Sequence, residues 1–109
     1  MISNESMSFN EYQNTAMGCR LPSAGEAYAL YNLGSEAGEV LGVVAKGLRD
    51  GRGFDYEQKL KKELGDVLWH VAAIALDNGF TLQDIADSNI AKLSARKENN
   101  TIQGSGDNR

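Results

Sequence analysis

The sequence predicts an all-α fold, a four-helix bundle, on three observations. Apolar residues recur at spacings of three and four along most of the chain, with no sustained alternation of β-branched residues. Ser8, Ser23, Asp55 and Thr81 each head a periodic segment, where a side-chain oxygen can cap free amides. Breaker-rich stretches at Gly18–Pro22, Gly47–Gly53 and Gly79 separate the segments. A chain of 109 residues suits one domain.

The first helix is expected from about Phe9 to Met17. Ser8 with Glu11 forms a capping box, and Phe9, Tyr12, Ala16 and Met17 share a face. The second runs from about Ala24 to Leu48, headed by Ser23 with Glu26. Its residues Ala27, Tyr31, Gly34, Gly38, Leu41, Ala45 and Leu48 alternate spacings of four and three, which makes a packing stripe. The third runs from about Tyr56 to Asp77, with Asp55 as N-cap and Gly79 as the stop. Leu60, Leu64, Val67, Leu68, Val71 and Ala75 line its inner side. The fourth runs from about Leu82 to Lys97, capped by Thr81, with Phe80 and Ile85 at staple positions and Ile85, Ile90 and Leu93 as anchors. Residues 1–7 are expected to be a flexible N-terminus, 8–97 the folded domain, and 98–109 a disordered tail rich in Asn, Gly and Ser.

Composition narrows the function. Hydrophobic residues make up 41% and charged residues 24%, a globular balance. One cysteine, Cys19, excludes a disulfide scaffold and a cysteine-based zinc site. One histidine, His70, excludes a site needing two imidazoles from the chain. A formal net charge of −4 argues against nucleic-acid binding through a basic surface. Uncharged runs such as Val67–Leu76 reach about half the ~20 residues that span a bilayer, so no membrane role is expected. The start MISNESMSF has no basic run before an apolar stretch, which points to a cytoplasmic setting.

Two pairs of acids carry the chemistry. Glu36 and Glu39 lie three apart on the second helix, and Glu63 and Asp66 three apart on the third, so each pair shares a face. Glu39 stands nine steps before Leu48, and Glu63 eight steps after Asp55. In an antiparallel hairpin, Glu39 is therefore level with Glu63, and Glu36 with Asp66. Four carboxylates then converge among Leu33, Ala37, Val40, Leu64 and Val67, an unfavourable arrangement unless some are protonated or a cation is present. All-oxygen ligation selects hard ions, Mg²⁺ or Mn²⁺, before Ca²⁺. The competing readings are a solvated acidic face on a non-catalytic interaction module and a carboxylate-bridged di-iron or di-manganese bundle. The latter wants Glu-x-x-His elements, and here Glu39 and Asp66 occupy the third positions.

Other residues add to this picture. Gly34, Gly38 and Gly42 recur every fourth position, although each costs ~1 kcal/mol against Ala in a helix. Close approach of a backbone or ligand explains their presence, and helix packing explains it equally well. Lys46 lies on the face of Glu39 two turns on, with Arg49 and Arg52 nearby. Asn89, Lys92 and Arg96 form one polar stripe on the fourth helix, suited to phosphate oxygens or to solvent. His70 reads as a core or interface histidine, with a fifth ligand or proton carrier as the alternative. Trp69 reads as packing or a subunit interface, and Cys19 carries no assigned chemistry.

Glu36-x-x-Glu39, 23 intervening residues (40 to 62), then Glu63-x-x-Asp66 resembles the signature of the MazG-like nucleotide pyrophosphohydrolases, within the all-α nucleoside triphosphate pyrophosphatase superfamily. The strings GSEAGEV, KELGDVLWHVAAIA and NIAKLSARK are each similar to blocks of that family, and the resemblance covers about Phe9 to Lys97. It resembles the short single-domain members, phage-encoded ones among them. The resemblance implies hydrolysis of a (deoxy)nucleoside triphosphate to monophosphate and diphosphate, in control of nucleotide pools. It implies two or more Mg²⁺ or Mn²⁺ ions held by Glu36, Glu39, Glu63 and Asp66, which are also the catalytic carboxylates, Glu39 being the chosen base. It places Lys46, Asn89, Lys92 and Arg96 on substrate phosphates. Base recognition is assigned to the first helix and the following turn, with Tyr12 or Asn14 as candidates and a purine such as dGTP as one conceivable substrate. A homo-oligomer is implied, dimer or tetramer with the tetramer favoured, in which a neighbouring chain helps to build the pocket.

Overall fold

The computed structural model describes residues 6–99. It contains α1 (Phe9–Met17), α2 (Glu26–Asp50), α3 (Tyr56–Asp77) and α4 (Leu82–Glu98), with no strand among the described residues. Most of the expected flexible N-terminus and tail lies outside them, at 1–5 and 100–109, while α4 runs one residue beyond its expected end.

Two helix starts form as the sequence dictates. The Ser8 hydroxyl accepts from the Glu11 amide at 3.1 Å, and Glu11 Oε1 accepts from the Ser8 amide at 3.0 Å. Thr81 and Asp84 repeat the exchange, both bonds at 3.0 Å. The cap amides and hydroxyls hold both carboxyls below their ordinary values.

The other two starts differ from expectation. α2 begins at Glu26 behind Gly25, with no side-chain cap. The Ala24 amide donates to the Leu21 carbonyl at 2.9 Å, and the Ala24 carbonyl accepts from Arg20 Nε at 2.7 Å. Ala24 thus belongs to the preceding turn, and Ser23 stands too early to cap. Asp55 occupies the N-cap of α3 but makes no capping bond; its carboxylate pairs with Lys59 Nζ at 3.1 Å.

The stop after α3 is a Schellman turn. Gly79 takes φ +80°, and the Phe80 amide reaches back to the Ala75 carbonyl at 2.8 Å. Only a residue without Cβ adopts that conformation at no steric cost.

α2 and α3 form the antiparallel hairpin on which the site depends. Among the described residues α2 touches no other helix, while α1 lies across α3 and α4, and α4 also meets α3. The most buried apolar residues are Ala29, Ala72, Ala73, Ala75 and Leu82. Four of the five are alanines, which lets the backbones approach closely.

Polar ties fasten α1 to the far half of α3. Gln13, only 5% exposed, donates from Nε2 to the Ala72 and Phe80 carbonyls, both at 3.2 Å, and accepts the Leu82 amide at 3.0 Å. Trp69 Nε1 donates to the Ala16 carbonyl at 3.2 Å, which makes Trp69 a packing residue within the chain. Arg20 grips Asp77 through two bonds of 2.9 Å. Asn10 accepts the Gln83 amide at 3.2 Å.

Several expected core positions are corrected. In the stripe on α2, Tyr31, Leu41 and Leu48 are 81%, 69% and 79% exposed. The face that meets α3 is a second one, with Ala29 buried and Leu33, Glu36, Val40, Val43, Val44 and Gly47 half-buried. α2 is apolar on two sides, and the side carrying Glu36 won the intrachain contact. On α3, Leu64 is half exposed. On α4, Ile85, Ile90 and Leu93 are exposed, and the helix is anchored instead by Leu82 and by the buried Arg96. Leu82 anchors because Gln13 seats the first turn of α4, a long-range contact that helical periodicity does not encode.

Candidate functional site

The hairpin brings three carboxylates together. One oxygen each from Glu36, Glu63 and Asp66 lie within 4.8 Å of one another; Glu36 and Glu63 are half-buried, and Asp66 is exposed. Their convergence follows from register, since the short connection between α2 and α3 sets Glu36 and Asp66 at one level and Glu39 and Glu63 at the next.

Glu39 stands outside this cluster. It is exposed, and with Glu63 it lines an open groove of about 510 Å³ running toward the hairpin loop. The groove also holds Lys46, Lys59 and Lys62, together with Asp50 and Asp55, the latter paired with Lys59. Lys46 lies on α2, while Lys59 and Lys62 face it from α3. The spacing from Glu63, one and four residues, could have identified Lys62 and Lys59, but a lysine run on a helix reads first as a solvated face.

A divalent ion fits the donor set. Hard oxygen ligands from two helices suit Mg²⁺ or Mn²⁺, which take oxygens at about 2.1 Å and so span about 4.2 Å between opposite ligands. The three carboxylate oxygens, all within 4.8 Å of one another, lie close to that span.

A hydrogen-bonded group stands behind the acids. Asn32 Nδ2 lies 3.0 Å from His70 Nε2, 3.2 Å from Glu36 Oε1 and 3.3 Å from Tyr28 Oη; its two hydrogens serve the two shorter contacts. His70 Nδ1 lies 2.8 Å from the Asp66 carbonyl. A carbonyl only accepts and an amide nitrogen only donates, so the proton sits on Nδ1 and Nε2 accepts. His70 is 5% exposed, with Trp69 edge-on at 5.0 Å. It is a core histidine, as its apolar neighbours suggest, and it bonds to the backbone of one acid rather than pointing into the cluster.

The remaining expected site residues are dispersed. Tyr12 sits against the acidic end; burial and then the negative charge of Asp66 raise its phenol above the ordinary value. Asn14 is exposed on another side of the same helix. Arg20, in the turn assigned to the base, is engaged by Asp77, eleven residues and so about 16 Å along α3 from Asp66. Asn89 and Lys92 line a separate cavity of about 420 Å³ with Phe80, Asp84, Ile85 and Ser88, and Arg96 is buried. Within one chain, then, the stripe on α4 does not join the groove holding Lys46. Cys19 is exposed.

No helix among the described residues is long and apolar enough to cross a membrane. A family model for the MazG nucleotide pyrophosphohydrolase domain matches residues 25–101. The Gene 37 protein of Mycobacterium phage L5 is 42% identical over 88 residues, which cover 78% of this chain and 77% of that protein. No solved structure matches significantly. The matched span contains both acid pairs and three of the four helices, and on it the chain belongs to the MazG nucleotide pyrophosphohydrolase domain family.

Proposed function

We propose that the protein is a divalent-metal-dependent pyrophosphohydrolase converting a (deoxy)nucleoside triphosphate and water to the monophosphate and diphosphate. The observation that carries this reading is the convergence of Glu36, Glu63 and Asp66 across the hairpin of a MazG-family chain. These three residues would hold Mg²⁺ or Mn²⁺, with Glu39 beside them. The bound ions would polarise phosphate oxygens and acidify water.

The chain's own groups do the rest. Glu39, exposed beside the cluster, takes a proton from the attacking water on a carboxylate oxygen. The water oxygen bonds to the α-phosphorus, and the α–β bridging oxygen leaves with the diphosphate. Lys46, Lys59 and Lys62 line the groove from both helices and offset the charge that develops on that leaving group. No covalent nucleophile is required. Tyr12, beside Asp66, is the better placed of the two base-binding candidates.

The exposed Tyr31, Leu41 and Leu48 face supports a homo-oligomer, with a tetramer as the expected form. A second copy is the route by which Asn89 and Lys92 would reach a groove. The 42% identity to a phage protein supports a setting in a host cytoplasm, and a role in nucleotide-pool control rests on the proposed reaction alone.

A panel of ribo- and deoxynucleoside triphosphates, purines such as dGTP included, with Mg²⁺ or Mn²⁺ tests this reading. Diphosphate release is expected, lost on chelation and in Glu36→Gln. Release of orthophosphate alone would contradict attack at the α-phosphorus.

A further inference from the structure

The deepest titratable side chain near the acids is one that the proposed chemistry does not use. His70 is 5% exposed and spans the two arms of the hairpin. From α3 its Nδ1 bonds the Asp66 carbonyl at 2.8 Å, and its Nε2 meets Asn32 of α2 at 3.0 Å. The same Asn32 nitrogen bonds Glu36 Oε1 at 3.2 Å. A continuous path therefore runs from the backbone of one acid, through His70 and Asn32, to the carboxylate of another.

We infer that Asn32 and His70 are positioning residues that preset Glu36 for a divalent ion. This rests on the metal reading above and names what orders its ligands. The chemistry is specific. A glutamate side chain has three rotatable bonds, and one fixed donor on Oε1 leaves Oε2 to turn toward Glu63 and Asp66. An amide has no acceptor on its nitrogen, so the contact holds only if His70 offers a lone pair. The Asp66 carbonyl ensures that it does, by taking the proton on the opposite ring nitrogen. His70 thus acts through Asn32, and neither residue is a ligand.

Donors behind a ligating carboxylate typically change metal affinity by roughly 10–100-fold when removed. The full chain is titrated with Mn²⁺ alone, with the free-ion paramagnetic signal as the measure of binding. Asn32→Ala is expected to bind Mn²⁺ at least tenfold more weakly, while its metal-free melting temperature stays near that of the parent. Ala is the best helix former and Asn32 is only half-buried, so this variant keeps the fold. His70→Leu is expected to weaken binding similarly, and the double variant no further than the weaker single, because both break one path. Unchanged affinity in Asn32→Ala overturns the inference, as do fully additive losses. The metal reading fails separately: the parent would then not bind Mn²⁺, or Glu36→Gln would bind it as well as the parent.

Discussion

Gln13 joins three helices through one amide, and replacing it with leucine tests how much of the fold hangs on that contact. The side chain is 5% exposed and satisfies the Ala72 carbonyl, the Phe80 carbonyl and the Leu82 amide. In Gln13→Leu the three groups fare differently. Ala72 lies inside α3, so its carbonyl keeps its helical bond. Phe80 and Leu82 flank the start of α4, where free amides have no helical partner. The Leu82 amide is thus stranded in a buried contact and the Phe80 carbonyl loses its partner in a part-buried one, each costing ~1–3 kcal/mol. Leucine returns some packing, so the net loss is about 3 kcal/mol, which lowers the melting temperature of a domain this size by on the order of 15 °C. Urea unfolding followed by circular dichroism reads this directly, with the slope of the transition unchanged. A loss below about 0.5 kcal/mol, the scale of a surface substitution, would refute the reasoning.

Four further outcomes follow from the coordinates. Asp77→Asn should cost about 2 kcal/mol near neutral pH, because the Arg20–Asp77 side chains are 13% and 15% exposed and doubly bonded. The Arg20 bonds lower the Asp77 carboxyl, so the unfolded state binds more protons. That contribution is complete above the ordinary carboxylate value near ~3.9, and it fades as pH falls through the depressed native value; urea melts of parent and variant at pH 7 and in acid should converge. Gly47→Ala would place Cβ 2.7 Å from Tyr56 Cε1, in a ring already under Arg52 at 4.8 Å. The crowding should outweigh the helix-propensity gain, giving a net loss of about 1 kcal/mol in melts. A Cβ at Gly38 meets nothing within 4 Å in the single chain; if the proposed homo-oligomer brings a partner backbone there, Gly38→Ala should sediment as a smaller species than the parent, and an unchanged species with ~1 kcal/mol of added stability would mean no partner backbone approaches there. Millimolar Mg²⁺ or Mn²⁺ should raise the melting temperature, with the rise abolished in Glu36→Gln and Glu63→Gln, and thermal shift with a chelator control measures it.

The parts legible in sequence were those set by neighbours a few residues away. Ser8–Glu11 and the Thr81 cap needed only three positions, and all four helices were bounded within about two residues by the same local signals. The level pairing of Glu36 with Asp66 was also legible, because a short loop converts sequence distance into height. Which apolar side of α2 meets α3 was not. Both the Tyr31–Leu41–Leu48 side and the Leu33–Val40–Val44 side satisfy helical spacing, and periodicity cannot rank them. A rule was nevertheless at hand: acids that must meet across the seam require the side that carries Glu36. Gln13, Asn10 and Arg20 were illegible for another reason. Their partners lie 57 to 73 residues away, and a lone Gln or Asn in a helix carries no local mark of a distant carbonyl or amide.

The placement of these long-range ties separates stability from chemistry along α3. Among the described residues, Trp69, Ala72 and Asp77 make the hydrogen-bonded ties from α3 to α1 and its following turn, and Gln13 and Asn10 carry the same fastening onto α4. Glu63 and Asp66 lie on the other half, where only α2 faces them with an acid of its own. Three carboxylates repel one another, and a hairpin with no further support would relieve that repulsion by splaying. The asymmetric fastening prevents this at one end only. α3 is held by its far half, while Asn32 and His70 bridge the hairpin next to the acids. The acid end thus stays closed enough to gather three carboxylates, while the groove beside it, lined by Lys46, Lys59 and Lys62 as well as by Glu39, Asp50, Asp55 and Glu63, stays open. A stronger clamp at that end would cover the acids, and a weaker one would let them part. The observed burial, two acids half-covered and one exposed, lies between these limits, with carboxylate oxygens gathered yet reachable from solvent.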